Sequence, residues 1–182
     1  MTPDDELLAS LRENAGPRST GTGAPTPRAC RPPASEEAVV RAEEELGFRL
    51  DSLLRRVYRE AFDGGFGPGY GSLPLTGRES LVSTHGSFRS GSWPEKLLPV
   101  WDWGGAVWSC VDPEGRIITH DDVGGRTLTC FKTRTWLRAW VDDVDLWKEI
   151  YEDRDSTIVN PFTRQPVATK VRGTAKGWPS PV

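Results

Sequence analysis

The segment Leu97–Asp121, LLPVWDWGGAVWSCVDPEGRIITHD, decides how this chain folds. Its short runs of apolar and β-branched residues, 97–103, 106–112 and 116–121, are separated by Gly104-Gly105 and by Asp112-Pro113-Glu114-Gly115. A proline with φ fixed and a glycine free to take φ > 0 suit the second break to a hairpin loop. A further run, TLTCFK, follows at 127–132. Runs of this length and composition, bounded by turn residues, read as consecutive antiparallel strands.

Upstream of the strands the period changes from two to helical. Ser35 is placed to cap a helix, with Glu36 and Glu37 in the first turn, where negative charge suits the helix dipole. Val39, Ala42 and Leu46 fall on one face of that helix, and Gly47 is placed to end it. A second helix follows Asp51, with Leu53, Leu54, Val57, Tyr58, Ala61 and Phe62 at steps of three and four until Gly64-Gly65. Beyond the strands, Leu137, Trp140, Val144, Trp147 and Tyr151 predict one helix over 134–151. Helices, then strands, then a helix make an α+β fold: an antiparallel sheet of short strands packed by amphipathic helices.

The ends read differently. Residues 4–13 carry Leu7, Leu8 and Leu11 at helical spacing, and 16–35 are rich in Gly, Pro, Ser and Thr, the composition of a flexible linker. Residues 1–34 are therefore expected to be an acidic arm and linker, 35–152 the compact domain, and 153–182 a Pro-containing basic tail, irregular or extended.

Composition narrows the function. The 182 residues are 36% hydrophobic and 27% charged, with net charge −3, mean hydropathy −0.50 and a pI near 5.5. No apolar run approaches the ~18–20 residues that span a bilayer, and the acidic start MTPDDELLAS lacks the pattern of a secretory signal. An acidic balance argues against nucleic acid as the partner. Cys30, Cys110 and Cys130 are odd in number and lack CxxC spacing, which reads as reduced thiols and a cytoplasmic protein. With His85 and His120 far apart as well, no metal site is expected, and no cofactor.

Several segments invite a chemical reading. Gly64–Gly71, GGFGPGYG, is dense enough in glycine to suggest a phosphate cradle, but it lacks the Gly-Lys-Ser/Thr of a P-loop and follows a helix. It is either a set of tight turns crossing from helix to sheet or a binding loop presenting Phe66 and Tyr70. In Trp101-Asp102-Trp103 the two indoles share a strand face and the carboxylate takes the other. That face is either core or a partly exposed aromatic anchor for a protein partner. Asp102, Asp121-Asp122, Asp142, Asp143 and Asp145 are either solvated or an acidic patch for a basic partner. There is no GxSxG, and His120 and Asp121 face opposite ways on a regular strand, so no catalytic constellation is expected.

The order of these landmarks resembles a known family. Glu37–Leu50 (EAVVRAEEELGFRL), Tyr58, Asp63–Gly69 (DGGFGPG), Leu98–Gly105 (LPVWDWGG) and the hairpin from Trp108 through Glu114-Gly115 together look like the SUKH superfamily. That superfamily includes yeast cell-wall-synthesis and killer-toxin-resistance regulators and many bacterial immunity proteins. The likeness runs from about Ser35 to Tyr151. Leu50-Asp51 stands where the family has Leu-Pro, and Asp63 where it often has Asn. The resemblance implies an α+β domain without catalytic residues that binds a cognate toxin of the nuclease or deaminase class and blocks it. The alternative it implies is a regulatory scaffold with no toxin partner. Neither reading involves nucleic acid, a membrane or a small-molecule substrate. The residues expected to meet the protein partner are Phe66, Tyr70, Trp101, Asp102, Trp103, Asp121 and Asp122.

Overall fold

The computed structural model describes residues 2–14, 28–89, 91–121, 125–175 and 178–179. Thr2 opens helix α1 (Pro3–Glu13): its hydroxyl accepts the Asp5 N–H at 3.2 Å, and the Asp5 carboxylate accepts the Thr2 N–H at 2.8 Å. Leu7, Leu8 and Leu11 are each 1% exposed or less and belong to the main core. An isolated helix of eleven residues is marginal in water, and each buried leucine contributes about 1.5–3 kcal/mol. Three leucines on one face therefore hold α1 against the body. Polar ties add position: Arg56 to Asp5 at 2.8 Å, Arg134 to Asp4 at 2.6 Å, and Arg12 Nε donating to the Glu60 carbonyl at 2.8 Å. The compact part thus does not begin at Ser35.

The expected linker is corrected in the same way. Residues 15–27 lie outside the described residues, but 28–34 run across the body. The Arg28 N–H donates to Tyr70 O at 2.8 Å and the Ala34 N–H to Tyr58 O at 2.9 Å. This strap presses so closely on the glycine-rich segment that a Cβ on Gly65 would sit 2.3 Å from Ala29 O.

Helix α2 (Glu36–Leu46) starts where Ser35 Oγ accepts the Ala38 N–H and ends at Gly47, which takes φ 81°. Asp51 caps α3 (Ser52–Glu60) by accepting the Leu54 N–H at 3.1 Å. The chain then turns through Gly64–Gly71 and enters α4 (Leu81–Phe88), a helix that periodicity does not announce because only Leu81 and His85 are buried on it. A box between Ser80 and Ser83 starts α4.

His85 packs edge-on against Phe48, and its Nε2–H donates to Glu95 O at 2.8 Å. Burial holds this imidazole below its ordinary value, against the Glu95 carbonyl; the charge of Arg89 lowers it further. The unfolded chain takes up the proton more readily, so stability from His85 is lost as pH falls through its ordinary value of about 6.5. We expect the urea midpoint to drop between neutral pH and pH 5 by less in His85→Gln, whose amide keeps the donor but does not titrate. An equal drop in the two proteins would assign the acid sensitivity to groups other than His85.

Four antiparallel strands follow in order: β1 (Leu98–Gly104), β2 (Val107–Val111), β3 (Arg116–Asp121) and β4 (Gly125–Lys132). The Asp112–Gly115 loop joins β2 and β3 as expected, with the Asp112 carboxylate accepting the N–H groups of Glu114 and Arg116. Alternation places Val111 and Ile117 in the main core under the helices. Cys110 and Ile118, on the other face, form a smaller cluster with Leu97, flanked by Trp93, Trp108 and Leu128.

The single helix expected over 134–151 is two. α5 (Thr133–Val141) ends at Asp142, and α6 (Leu146–Ile150) restarts after Asp145, whose carboxylate accepts the Lys148 N–H. Three aspartates in four positions are poor helix formers that compete for caps, and Asp143 takes φ 60°. Val144, expected on the apolar stripe, is 42% exposed. The expected irregular tail contains an antiparallel ribbon of β5 (Tyr151–Val159) and β6 (Pro166–Ala175), and β7 (Trp178–Pro179) pairs with Thr127 and Leu128 of β4.

Candidate partner-binding surface

The glycine-rich segment works as turns. Gly64, Gly65, Gly67, Gly69 and Gly71 all have positive φ, and the loop lies along β1 as an added rail. The Tyr70 N–H donates to Asp102 O at 2.7 Å and the Leu73 N–H to Val100 O at 2.9 Å. Gly67 matters most: a Cβ there would be 2.0 Å from Trp101 Nε1. This close approach turns Phe66 inward.

Phe66 is fully buried, edge-on to Tyr58 at 5.5 Å and to Trp101 at 6.3 Å. Trp101 is fully buried too, 5.7 Å from the Trp136 ring. Both leave the set of residues able to face a partner, and so does Asp121, which is 6% exposed on β3. The reason is common to all three: the rail and the helices cover the β1 edge and the inner sheet face, leaving no open side there. Asp122 lies outside the described residues.

Tyr70, Asp102 and Trp103 are half-buried. Asp102 is engaged within the chain, accepting Arg28 Nη2 at 3.0 Å and the Gly104 N–H at 2.8 Å. Arg28 also lies 6.0 Å from the Tyr70 ring centroid. These residues fasten the strap to the turn between β1 and β2.

Trp103 differs. Its Nε1–H donates to Ser109 Oγ at 2.8 Å, and its ring meets Trp136 edge-on and, tilted at 5.3 Å, Trp147. Trp147 is itself half-buried and continues the row to Tyr151 at 4.6 Å. The break between α5 and α6 leads straight to Trp147 and leaves Asp142, Asp143, Val144 and Asp145 exposed. Partial burial pushes the Asp145 carboxyl up, but the side chain and N–H of Lys148 more than reverse this and hold it below its ordinary value. Sequence reasoning assigned Trp147 to a helix stripe and so missed it here. The signal was available: Asp145 before Leu146 is an N-cap pattern in the middle of the supposed helix.

An aromatic pair beside three carboxylates suits a cationic protein surface, through ring-face contact with Arg or Lys and charge complementarity. Among the described residues, no three His, Cys, Asp or Glu side chains gather as metal ligands would, and no helix is long and apolar enough to cross a membrane. No curated protein and no solved structure gives a significant match to this chain. Residues 33–139, more than half of the chain, match one family, and they span the capped helix pair, the glycine rail, the four-stranded hairpin run and most of α5. This protein therefore belongs to the SMI1 / KNR4 family (SUKH-1), whose members are generally non-catalytic and interact with other proteins.

Proposed function

We propose that this protein is an immunity-type inhibitor that binds a cognate toxin and neutralises it by occupying its surface. The observation that supports this most is the half-exposed pair Trp103 and Trp147 bordered by exposed Asp142, Asp143 and Asp145. Tryptophans in such settings anchor interfaces, at ≥2 kcal/mol each when they are hot spots. A rim of carboxylates speeds encounter with a basic partner, and a nuclease, which must itself hold phosphates, is the toxin class with that charge. The three free cysteines suit a reducing compartment, so the cytoplasm is the proposed place of action.

The probe is a toxin-like protein encoded beside this gene, produced with and without a molar excess of the protein. Inhibition is expected, weakened about 30-fold or more by Trp103→Ala with Trp147→Ala. The triple change Asp142→Asn, Asp143→Asn, Asp145→Asn is expected to slow association and flatten its salt dependence. Undiminished toxin activity at molar excess would overturn the reading.

A further inference from the structure

Among the described residues, five of the six exposed large apolar side chains fall between positions 144 and 167: Val144, Ile158, Val159, Phe162 and Val167. Val144 stands at the α5–α6 break, and the other four sit at the far end of the β5–β6 ribbon. Apolar side chains gathered in this way mark an interaction site, as scattered ones do not. The stretch is continuous with the aromatic row of the partner-binding surface, because β5 starts at Tyr151, whose ring meets Trp147 at 4.6 Å. It also lies beyond residue 139, where the family match stops. Recognition particular to one protein commonly resides in such additions to a shared fold.

The far end is built to hold Phe162 out. Asn160 Oδ1 accepts the N–H groups of Phe162 at 2.9 Å and Thr163 at 3.1 Å. The Asn160 N–H donates to Gln165 O and the Arg164 N–H to Asn160 O, both at 2.9 Å. Pro161 fixes φ at the first step of the turn. Phe162 is 92% exposed on this hydrogen-bonded turn, so a partner that takes up the ring meets it already ordered and little entropy is lost. Ile158 stands opposite Val167 in register and Val159 opposite Pro166, so both faces of the ribbon are apolar where it meets the turn.

The ribbon also sets a reach. β5 is nine residues long, and at ~3.3 Å per residue it carries the turn about 25 Å from Tyr151. Two anchors result: the rings of Trp103 and Trp147 with their carboxylates on the body, and Phe162 at the end of an arm.

We infer that the β5–β6 ribbon is a second arm of the toxin-binding surface, and that Phe162 enters an apolar pocket on the toxin about 25 Å beyond the basic face that meets Trp103 and Trp147. The inference rests on the immunity reading and gives the toxin two features to be recognised by, a basic face and a separate pocket the size of a phenyl ring. The anchors differ in what they control. Carboxylates act at long range and set the rate of encounter, whereas a ring in a pocket acts on contact and sets the lifetime of the complex. The unbroken path from Trp147 through Tyr151 into β5 selects the toxin over a second copy of the chain as what covers Phe162.

Binding kinetics of the full chain with the toxin-like protein encoded beside this gene test this, in parallel with inhibition. Phe162→Ala is expected to weaken binding about tenfold or more through faster dissociation, with the association rate and its salt dependence unchanged. Phe162→Leu should keep most of the affinity. Because the anchors are far apart, the fold-losses from Phe162→Ala and Trp147→Ala should multiply in the double variant. The urea midpoint of Phe162→Ala should not move, since the exposed ring has no seat in the body. If the unaltered chain inhibits and Phe162→Ala inhibits equally well with the same dissociation rate, the inference falls and the immunity reading stands. Losses that fail to multiply, or that appear in the association rate alone, overturn it too. An unaltered chain that neither binds nor inhibits overturns both. Sedimentation of the free chain tests the other occupant: a Phe162-dependent species of twice 20.2 kDa assigns the ribbon to a second copy and overturns the inference.

Discussion

Trp101→Ala is expected to lower the unfolding free energy by about 3–5 kcal/mol, the range for large aromatic truncations in a close-packed interior. Trp101 is fully buried, meets Phe66 and Trp136, and is pressed by the backbone of Gly67. Its indole N–H is buried without a hydrogen-bond partner among the described residues, so what is lost is packing rather than a polar contact. Trp103→Ala, two residues along the same strand, should cost only about 1–2 kcal/mol, within the ordinary range of single substitutions. Under the proposed function, its main effect should be on toxin binding. Urea unfolding of the two variants, read beside inhibition assays, separates a core tryptophan from a surface one. Comparable stability losses in the two would sink that distinction.

The second large effect lies at the other end of the chain. Leu11→Ala should destabilise by about 2–5 kcal/mol, because Leu11 is fully buried beneath α3 and α5 and its removal leaves a cavity. Were residues 1–14 an accessory arm, the same change would move the midpoint by less than the error of the measurement. Limited proteolysis gives an independent reading: cleavage in 15–27 should leave α1 bound to the body, whereas a detachable arm would be lost.

Most of the fold was legible because local signals agreed with one another. Ser35 and Gly47 bracket α2, Asp51 caps α3, and Asp112–Gly115 closes the central hairpin, each by the chemistry its residue type supplies. The misses share a cause, which is that they depend on contacts distant in sequence. Nothing near Leu7 indicates that α5, more than 120 positions later, will receive it. Ser80 opens a helix whose burial rests on two residues, too few to show a period. Phe66 looked like a loop residue, and loop residues are usually exposed, but glycines on either side bring the backbone against Trp101 and send the ring inward. At the proposed binding surface, Trp103 was legible from its strand. Trp147 was hidden by an apolar stripe that runs through a helix break.

The tie between Arg134 and Asp4 spans 130 positions. Loop-closure entropy must be spent before such a contact returns anything. During synthesis α1 leaves the ribosome before α3 and α5 and finds its seat only after they have followed it out. A helix made before its seat is therefore among the last to settle, and until then the leucine sockets on α3 and α5 stand open to chaperones and to neighbouring nascent chains.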